Sequence, residues 1–315
     1  MAVSTSCRHL LGLDGLPVDT MRALFDRAEH WLPIAKGDAP PVDLLRGSIV
    51  ANVFLEDSTR TRLSFTIAAQ RLGAATVDLT GSGSSVSKGE SLLDTAMNVA
   101  AMGVNAMVVR CTPAGGPMQI ADHVTMPVIN AGDGAHEHPT QGLLDVFTMK
   151  QRFGTIDHLR VAIVGDIASS RVARSNMHAL TSVGAHVILV GPPELVPDDL
   201  ASITDGPGTV EIAHDLDSVL SQVDVIMMLR VQFERHEGKA LSPDYRNRFG
   251  LTAARADQLP ESAIVMHPGP MNRGLEIESD VAHDPVRSVI LDQVTHGVAM
   301  RMAVLEWVMG DQRGA

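Results

Sequence analysis

The stretch Phe54–Phe65, FLEDSTRTRLSF, crowds hydroxyl and guanidinium groups between an apolar strand candidate and an apolar helix candidate. A Ser or Thr at such a junction can cap the helix, and the first helical turn offers free N–H groups and the positive end of the dipole. Arg60 adds a planar fork that suits phosphate oxygens, and Thr61 adds a hydroxyl donor. A single Ser-x-Arg is usually only a capped helix with solvated arginines. The density of donors here favours a phosphate site formed by Ser58, Thr59, Arg60 and Thr61.

Other candidate binding residues follow strand candidates or lie in loops. Each alone has a common structural explanation, such as a turn, a helix start or a solvated cation. A loop rich in Gly and Ser contains Ser84 and Lys88. The remaining candidates are Arg110, His138, Gln141, Arg171, Arg230, Gln232, Pro268, Gly269 and Pro270.

Short runs rich in Val, Ile and Ala alternate with amphipathic stretches along the whole chain, and this alternation is typical of parallel α/β folds. Most of the runs are continuously apolar, as in strands buried on both faces. The predicted strands are Ile49–Phe54, Ala75–Leu79, Ala106–Arg110, Pro127–Asn130, Arg160–Val164, His186–Val190, Thr209–Ile212, Val225–Leu229 and Ala263–Met266. The predicted helices are Pro17–Trp31, Thr61–Leu72, Ser91–Ala101, Pro117–His123, Gly142–Gln151, Arg171–Val183, Leu216–Gln222, Asp244–Arg248 and Val294–Val308.

The fold class that this order predicts is α/β, with two doubly wound parallel-sheet domains joined by interdomain helices. Ligands of such sheets collect at the carboxyl ends of the strands, and the polar motifs fall there or in loops. The predicted boundaries are 1–138 for the first domain and 139–293 for the second. Residues 294–315 are predicted to form a C-terminal helix that packs back on the first domain.

Composition narrows the class of function. The chain has 315 residues, of which 45% are hydrophobic and 20% charged, with a net charge of −12. The acidic balance argues against nucleic acid or an anionic membrane surface as a partner. Two cysteines without a CxxC pair predict neither a disulfide framework nor a metal site. We find no signal peptide or apolar run long enough to span a bilayer, so a cytoplasmic location is expected.

The phosphate motif belongs to an ordered series that resembles the aspartate/ornithine transcarbamoylase family. The other members are SGSSVSKGESLLDT, VVRC, HPTQ, GDIASSRVARSN, RVQFER and HPGPMNRG. The resemblance covers nearly the whole chain in the family's order, and the last three motifs resemble the aspartate branch. It implies transfer of a carbamoyl group from carbamoyl phosphate to L-aspartate in pyrimidine synthesis, without a cofactor or metal. It also implies that the first domain binds carbamoyl phosphate and the second binds aspartate.

The resemblance further implies a role for each candidate residue. In the family, the STRTR corner and Arg110 bind the phosphate, and Arg110 also contacts the carbonyl oxygen. His138 donates to that oxygen, and Gln141 and the HPGP carbonyls bind the carbamoyl amide. Arg171, Arg230 and Gln232 hold the carboxylates of aspartate. Asn272 and Arg273 are expected to brace the HPGP loop, and Glu56 is expected to pair with a nearby arginine.

In the family, the loop that contains Ser84 and Lys88 reaches into a neighbouring subunit's site, which implies a homotrimer with shared sites. Ser87 stands where the family often has a second basic residue. Regulatory chains are also compatible with the resemblance.

Three alternatives remain at this stage. The first is a transcarbamoylase for ornithine or another amine, although HPGP lacks the cysteine of the ornithine branch. The second is a nucleotide-dependent oxidoreductase, which the absence of a G-x-G-x-x-G at Gly165 disfavours. The third is a non-catalytic scaffold, which would not need Arg60, Arg110 and His138 together.

Overall fold

Two parallel sheets organise the chain in this computed structural model, which describes residues 8–81, 89–232 and 244–310. The described residues separate into two compact units. The first unit contains the described residues up to Leu144 and those from Val294 onward. The second unit contains the described residues of Asp145–Gln293. The prediction of two parallel-sheet α/β domains is therefore confirmed.

The first unit contains a four-stranded sheet with the order β2-β1-β3-β4 and parallel pairing throughout. Its strands are β1 (Ile49–Phe54), β2 (Ala75–Thr80), β3 (Ala106–Cys111) and β4 (Val128–Asp133). Its helices are α1 (Val18–Lys36), α2 (Thr59–Arg71), α3 (Leu92–Ala101) and α4 (Gly116–Ala121), with parts of α5 (Pro139–Phe153) and α10 (Ile290–Met309).

The second unit contains a five-stranded parallel sheet with the order β7-β6-β5-β8-β9. Its strands are β5 (Arg160–Val164), β6 (His186–Val190), β7 (Thr209–Ala213), β8 (Val225–Met228) and β9 (Ile264–Met266). Its helices are α6 (Arg171–Ser182), α7 (Tyr245–Phe249), α8 (Ala253–Ala256) and α9 (Ser279–Ala282), with 3-10 turns at Asp198–Ser202 and Leu220–Gln222.

The cores of both sheets consist mainly of aliphatic side chains, as the low aromatic content of 3% requires. The central strands β1, β3, β5 and β8 are buried almost throughout, which confirms the interpretation of their continuous apolar runs. The strands β2 and β7 lie at sheet edges and are largely exposed, so that interpretation is wrong for them. Among the described residues, we find no helix that combines the length and the apolar character of a membrane span.

The predicted helix Leu216–Gln222 is wrong in extent, because only Leu220–Gln222 forms a 3-10 turn. Before it, Asp215 accepts a hydrogen bond from the Asp217 backbone N–H, and the Ser218 hydroxyl donates to the Asp215 carbonyl. Short polar side chains that bond the local backbone compete with helix formation in this way. The short helices α8 and α9 were not predicted, since neither spans more than about one turn and a repeating pattern needs several.

The N-terminal segment adds to the open edge of the first sheet. Leu10 forms a parallel bridge to Ile129 in β4, and His9 Nδ1 accepts a hydrogen bond from the Val128 backbone N–H at 3.1 Å. Burial lowers the pKa of His9 below its ordinary value, against an opposing effect of the Asp122 carboxylate. The neutral ring is the form that can accept this bond, so the contact depends on pH.

We expect the wild-type protein to lose stability relative to a His9→Gln variant as the pH falls below about 6.5, the ordinary pKa of histidine. A histidine with a lowered native pKa binds more protons when unfolded, and its contribution to stability is therefore lost as pH falls toward the native pKa. Glutamine does not titrate. Denaturant unfolding of both proteins between pH 7.5 and 5 measures the difference. Parallel stability curves would contradict this account of His9.

Candidate active site

The carboxyl edge of the first sheet brings the predicted phosphate corner next to Arg110. Phe54, the last residue of β1, pairs with Arg110 on the neighbouring strand β3. The Leu55 backbone N–H donates to the Arg110 carbonyl at 2.9 Å. The chain then turns into α2, whose N-cap is Ser58. Adjacent parallel strands thus place the loop that leads into α2 beside Arg110.

The N-terminus of α2 is open to an anion. Ser58, one of the two residues that the sequence allowed as a cap, occupies the N-cap position with extended backbone angles, but its side chain makes no capping hydrogen bond. The first turn also contains no acidic residue. The leading N–H groups of a helix have no partner within the helix and attract anions. The sequence could not distinguish a hydroxyl that caps from one that leaves these donors available.

Arg60 is the exposed cation of this corner. Its guanidinium makes no hydrogen bond or ion pair with any of the residues that the structure describes. Partial burial among nearby residues desolvates its guanidinium and lowers the pKa of Arg60 below its ordinary value. Arginine remains charged at neutral pH under such a shift. Arg62, two residues on, instead lies 4.0 Å from Asp78.

Arg110 lies across the middle of the edge. Its Nε is 3.4 Å from Glu56 Oε2, and its terminal nitrogen donates to the Ala131 carbonyl of β4 at 3.5 Å. The sequence predicted a pairing of Glu56 with a nearby arginine, and this is confirmed. An acid from the β1 loop thus reaches Arg110, although no charged residue adjoins it in the sequence. The pair holds the guanidinium between the β1 loop and β4.

His138 lies at the start of α5 and faces α2. Its Nε2 is 3.5 Å from the Thr61 hydroxyl, and both residues are buried. Gln141 follows within the first turn of α5, where its backbone N–H donates to the His138 carbonyl at 2.9 Å. The first unit therefore places Thr61 and His138 in contact and sets Arg110 beside the loop that leads into α2. A hydroxyl, an imidazole and guanidinium groups suit an oxyanion and a phosphate.

The carboxyl edge of the second sheet holds the other predicted cations. Arg171 is the first residue of α6 and is only 8% exposed. Its helix is capped by Ser170, whose side chain accepts from the Ala173 backbone N–H at 3.1 Å. Arg230 follows β8, the neighbour of β5, and is half-buried. Cations at the ends of adjacent strands suit carboxylate groups.

Gln232 fastens the β8 loop to the β5 loop. Its backbone N–H donates to Asp166 Oδ2 at 3.3 Å, and its side-chain amide donates to the Ser169 carbonyl at 3.2 Å. Gly165 allows the close approach that this requires. Its φ is +136°, and a Cβ there would lie 3.0 Å from the Leu229 carbonyl oxygen. A side chain at position 165 would therefore push the two loops apart.

The HPGP loop after β9 is braced from within. His267 Nδ1 accepts from the Gly269 backbone N–H at 2.8 Å, so the neutral ring carries its proton on Nε2, 3.4 Å from Glu276 Oε1. Asn272 donates its backbone N–H to the same carboxylate. Its side-chain amide donates to the Val231 carbonyl at 3.4 Å, which confirms that Asn272 braces this loop. Arg273 instead lies against His283.

Buried acids support these loops, and the sequence analysis missed them. Asp166 and Glu276 have no exposed surface. Burial, together with the charges of Glu276 and Asp166, raises the pKa of Tyr245, so that its phenol stays protonated. The signal that could have located Asp166 is its position directly after Gly165 at a strand end. Ser84 and Lys88, also predicted to bind ligands, lie outside the described residues.

Comparison with known proteins gives one consistent result. The family model described as "Aspartate/ornithine carbamoyltransferase, carbamoyl-P binding domain" matches residues 8–151, and the model described as "Aspartate/ornithine carbamoyltransferase, Asp/Orn binding domain" matches residues 157–308. The aspartate carbamoyltransferase catalytic subunit of Myxococcus xanthus is 52% identical over 301 residues, which cover 95% of this chain and 98% of that protein.

Two solved structures are similar over nearly their whole length. Ornithine carbamoyltransferase from Pyrococcus furiosus has a TM-score of 0.87 at 30% identity and covers 98% of this chain and 99% of its own. Aspartate transcarbamoylase from Trypanosoma cruzi, in complex with carbamoyl phosphate and aspartate, has a TM-score of 0.85 at 29% identity, with coverages of 96% and 97%.

We predict that Arg60→Ala weakens binding of inorganic phosphate by about 10-fold or more, because a charge-assisted hydrogen bond contributes about 1.5–3 kcal/mol. Arg62→Ala is the matched control, since Arg62 lies on the same helix but beside Asp78. We expect the control to retain most of the wild-type affinity. Titration calorimetry measures the phosphate affinity of the wild-type protein and of both variants. Equal losses in both variants would show that general surface charge, and not the corner at Arg60, attracts the anion.

Proposed function

Because the chain belongs to the aspartate/ornithine carbamoyltransferase family, we propose that it transfers the carbamoyl group of carbamoyl phosphate to L-aspartate. The products are N-carbamoyl-L-aspartate and phosphate, and the reaction is the committed step of pyrimidine biosynthesis. The observation that carries the proposal is the 52% identity, over almost the full length, to a protein named for this reaction. The cations at the carboxyl edges of both sheets support it.

Carbamoyl phosphate is assigned to the first unit. The N–H groups at the start of α2 and the side chains of Ser58, Thr59, Arg60 and Thr61 bind the phosphate in this proposal. Arg110 contacts both the phosphate and the carbonyl oxygen. The open N-terminus of α2 and the exposed Arg60 support this assignment, because both leave positive charge available to the ligand.

The carbonyl group is polarised by His138 in this proposal. Its Nε2 points toward Thr61, on the phosphate side, which supports a role in donating to the carbonyl oxygen. Such a donor stabilises the charge that develops on this oxygen as the amine attacks. Gln141 binds the carbamoyl amide, as do the backbone carbonyls of the loop formed by Pro268, Gly269 and Pro270.

Aspartate is assigned to the second unit, where Arg171, Arg230 and Gln232 hold its two carboxylates. The fastening of the β8 loop to the β5 loop supports this, since it fixes the positions of the cationic loops relative to each other. The amine attacks the carbonyl carbon and forms a C–N bond. The C–O bond to phosphate then breaks, and the departing phosphate takes the amine proton. Positioning and charge stabilisation supply the acceleration.

Ornithine is the second candidate for the amine, because a structure named for ornithine has a TM-score of 0.87 against this chain. Its 30% identity is well below the 52% shared with the relative named for aspartate. Two arginines after β5 and β8 also suit a dicarboxylate better than a substrate with a second ammonium group. Aspartate is therefore the proposed substrate.

We predict rapid formation of N-carbamoyl-aspartate from carbamoyl phosphate and L-aspartate, and no turnover of L-ornithine above the blank. His138→Ala should lower kcat by about 100-fold to 1,000-fold, the usual cost of removing one oxyanion donor. Product quantification by mass spectrometry with each amine measures both effects. Preferential turnover of ornithine would overturn the choice of aspartate, and unchanged kcat in His138→Ala would overturn the role of His138.

We also propose a homotrimer in which Ser84 and Lys88 of one subunit complete the site of the next. This rests on the sequence resemblance of the SGSSVSKGE stretch, and its residues 82–88 lie outside the described part of the chain. The cytoplasmic location and the compatibility with regulatory chains stay predictions from the sequence.

Mixing two inactive variants tests the shared site. When all three subunits carry Arg60→Ala, or all three carry Lys88→Ala, every site of the trimer lacks one of its residues. In a mixed trimer, one site can combine an intact Arg60 with an intact Lys88 from its neighbour, so activity should reappear after the subunits are dissociated and reassembled together. The mass of the oligomer is measured in parallel. A mixture that stays as inactive as the separate variants would argue that each chain carries a complete site.

A further inference from the structure

Asp133, the last residue of β4, is a buried acceptor that the proposed chemistry does not use. It is 1% exposed. Its Oδ1 accepts from the Asn130 side-chain amide at 2.8 Å and from the Glu137 backbone N–H at 3.1 Å. Its Oδ2 accepts from the Gly115 backbone N–H at 2.7 Å and lies 3.0 Å from His136 Nδ1. Both carboxylate oxygens are therefore shared between separate pieces of chain.

These bonds connect the loops that carry two proposed site residues. Gly115 lies in the loop that follows Arg110 on β3, and Glu137 directly precedes His138. A second contact runs alongside, since the Gly134 backbone N–H donates to the Cys111 carbonyl at 3.0 Å. Asp133 thus links the chain after Arg110 to the chain before His138.

The turn between Asp133 and Glu137 is tightly closed. The Asp133 backbone N–H donates to the Glu137 carbonyl at 3.2 Å, and the two residues form an antiparallel bridge. Gly134 has a φ of +51°, and a Cβ there would lie 2.7 Å from the Thr112 carbonyl oxygen. Backbone of the β3 loop therefore packs directly on this turn.

Glu137 extends the support on the far side of the turn. Its carboxylate accepts from the Leu13 backbone N–H at 2.8 Å and from the Asp14 backbone N–H at 3.2 Å. Like Asp133, it is 1% exposed. Asp133 therefore ties the backbone just before His138 to the loop after β3. Glu137 ties the same backbone to the N-terminal segment.

We propose that Asp133 is a positioning residue that sets where the His138 imidazole lies relative to Arg110. The inference rests on the proposed function, because it concerns the same site. A carboxylate suits this position because its backbone and amide partners all donate, and a carboxylate offers acceptors only. Asparagine has nearly the same shape, but its NH₂ group would face donors on one side. Groups that polarise a carbonyl lose effect when they are displaced by fractions of an ångström.

The test is a double-mutant cycle with Asp133→Asn and His138→Ala. We expect Asp133→Asn to lower kcat by about 10-fold to 100-fold, and to change the KM for aspartate much less. In the His138→Ala background we expect the same change to lower kcat by less than about 3-fold, because residues that act through one another are not additive. An equal loss in both backgrounds would overturn the proposal.

Two further variants separate positioning from folding. Asp224→Asn is the matched control, because Asp224 accepts from the Arg160 backbone N–H at 2.9 Å at the amino end of β5. We expect it to lower the unfolding temperature and leave kcat unchanged. His136→Ala removes a single partner of Asp133, at a half-exposed side chain, and should give a smaller loss of kcat that also disappears in His138→Ala. A loss of kcat that tracks stability across all these variants would overturn the proposal.

Imidazole ¹⁵N spectra report the environment of the His138 ring directly and do not require enzymatic turnover. We expect the His138 ring signals to shift in Asp133→Asn and to stay at the wild-type position in Asp224→Asn. If the wild-type protein transferred no carbamoyl group to either amine, the proposed function would fail while the shift still reported on positioning. Unchanged His138 signals in Asp133→Asn would overturn the inference, whatever the activity.

Discussion

The structure depends on keeping positive charge available at the carboxyl edge of a parallel sheet in an acidic protein. With a net charge of −12, nearby carboxylates could easily neutralise an exposed guanidinium. Among the described residues none pairs with Arg60, and the first turn of α2 contains no acid. Ser58 begins the helix without capping it. The corner therefore keeps unused donors that an anion can satisfy, and this is the condition for binding phosphate from water.

Buried carboxylates turn the loops around these charges into fixed supports. Asp133 and Glu137 in the first unit, and Asp166 and Glu276 in the second, are almost or entirely without exposed surface. Asp133, Asp166 and Glu276 each accept a backbone N–H from a loop at a strand end, and Glu137 accepts from the N-terminal segment. A buried carboxylate is costly unless it is hydrogen-bonded, so these acids are stable only while the loops keep their places. Both units hold their strand-end loops by the same means.

The sequence predicted the sheets well because continuous apolar runs such as Ile49–Phe54 and Arg160–Val164 allow few alternatives. It also located the cations, since parallel strands align their carboxyl ends and a motif after a strand must lie at that edge. It did not predict that Ser58 leaves α2 uncapped, because the same residue can cap or not. Asp133 was missed for a related reason. Its role comes from donors in the loop after β3 and in the turn before α5, and only the register of β3 against β4 brings these two segments together.

Specificity for the amine must come from the loops, because the scaffold itself serves more than one substrate class. A structure named for ornithine resembles this chain as closely as one named for aspartate, with TM-scores of 0.87 and 0.85. What distinguishes the substrates is charge: aspartate carries a second carboxylate, and ornithine carries a second ammonium. In the proposed site, Arg171 and Arg230 attract the second carboxylate of aspartate and repel the second ammonium of ornithine, so one arrangement both selects and rejects. The same reasoning explains the firm bracing of the β5 and β8 loops. Two cations can grip two carboxylates of one small molecule only if their separation is fixed before it arrives.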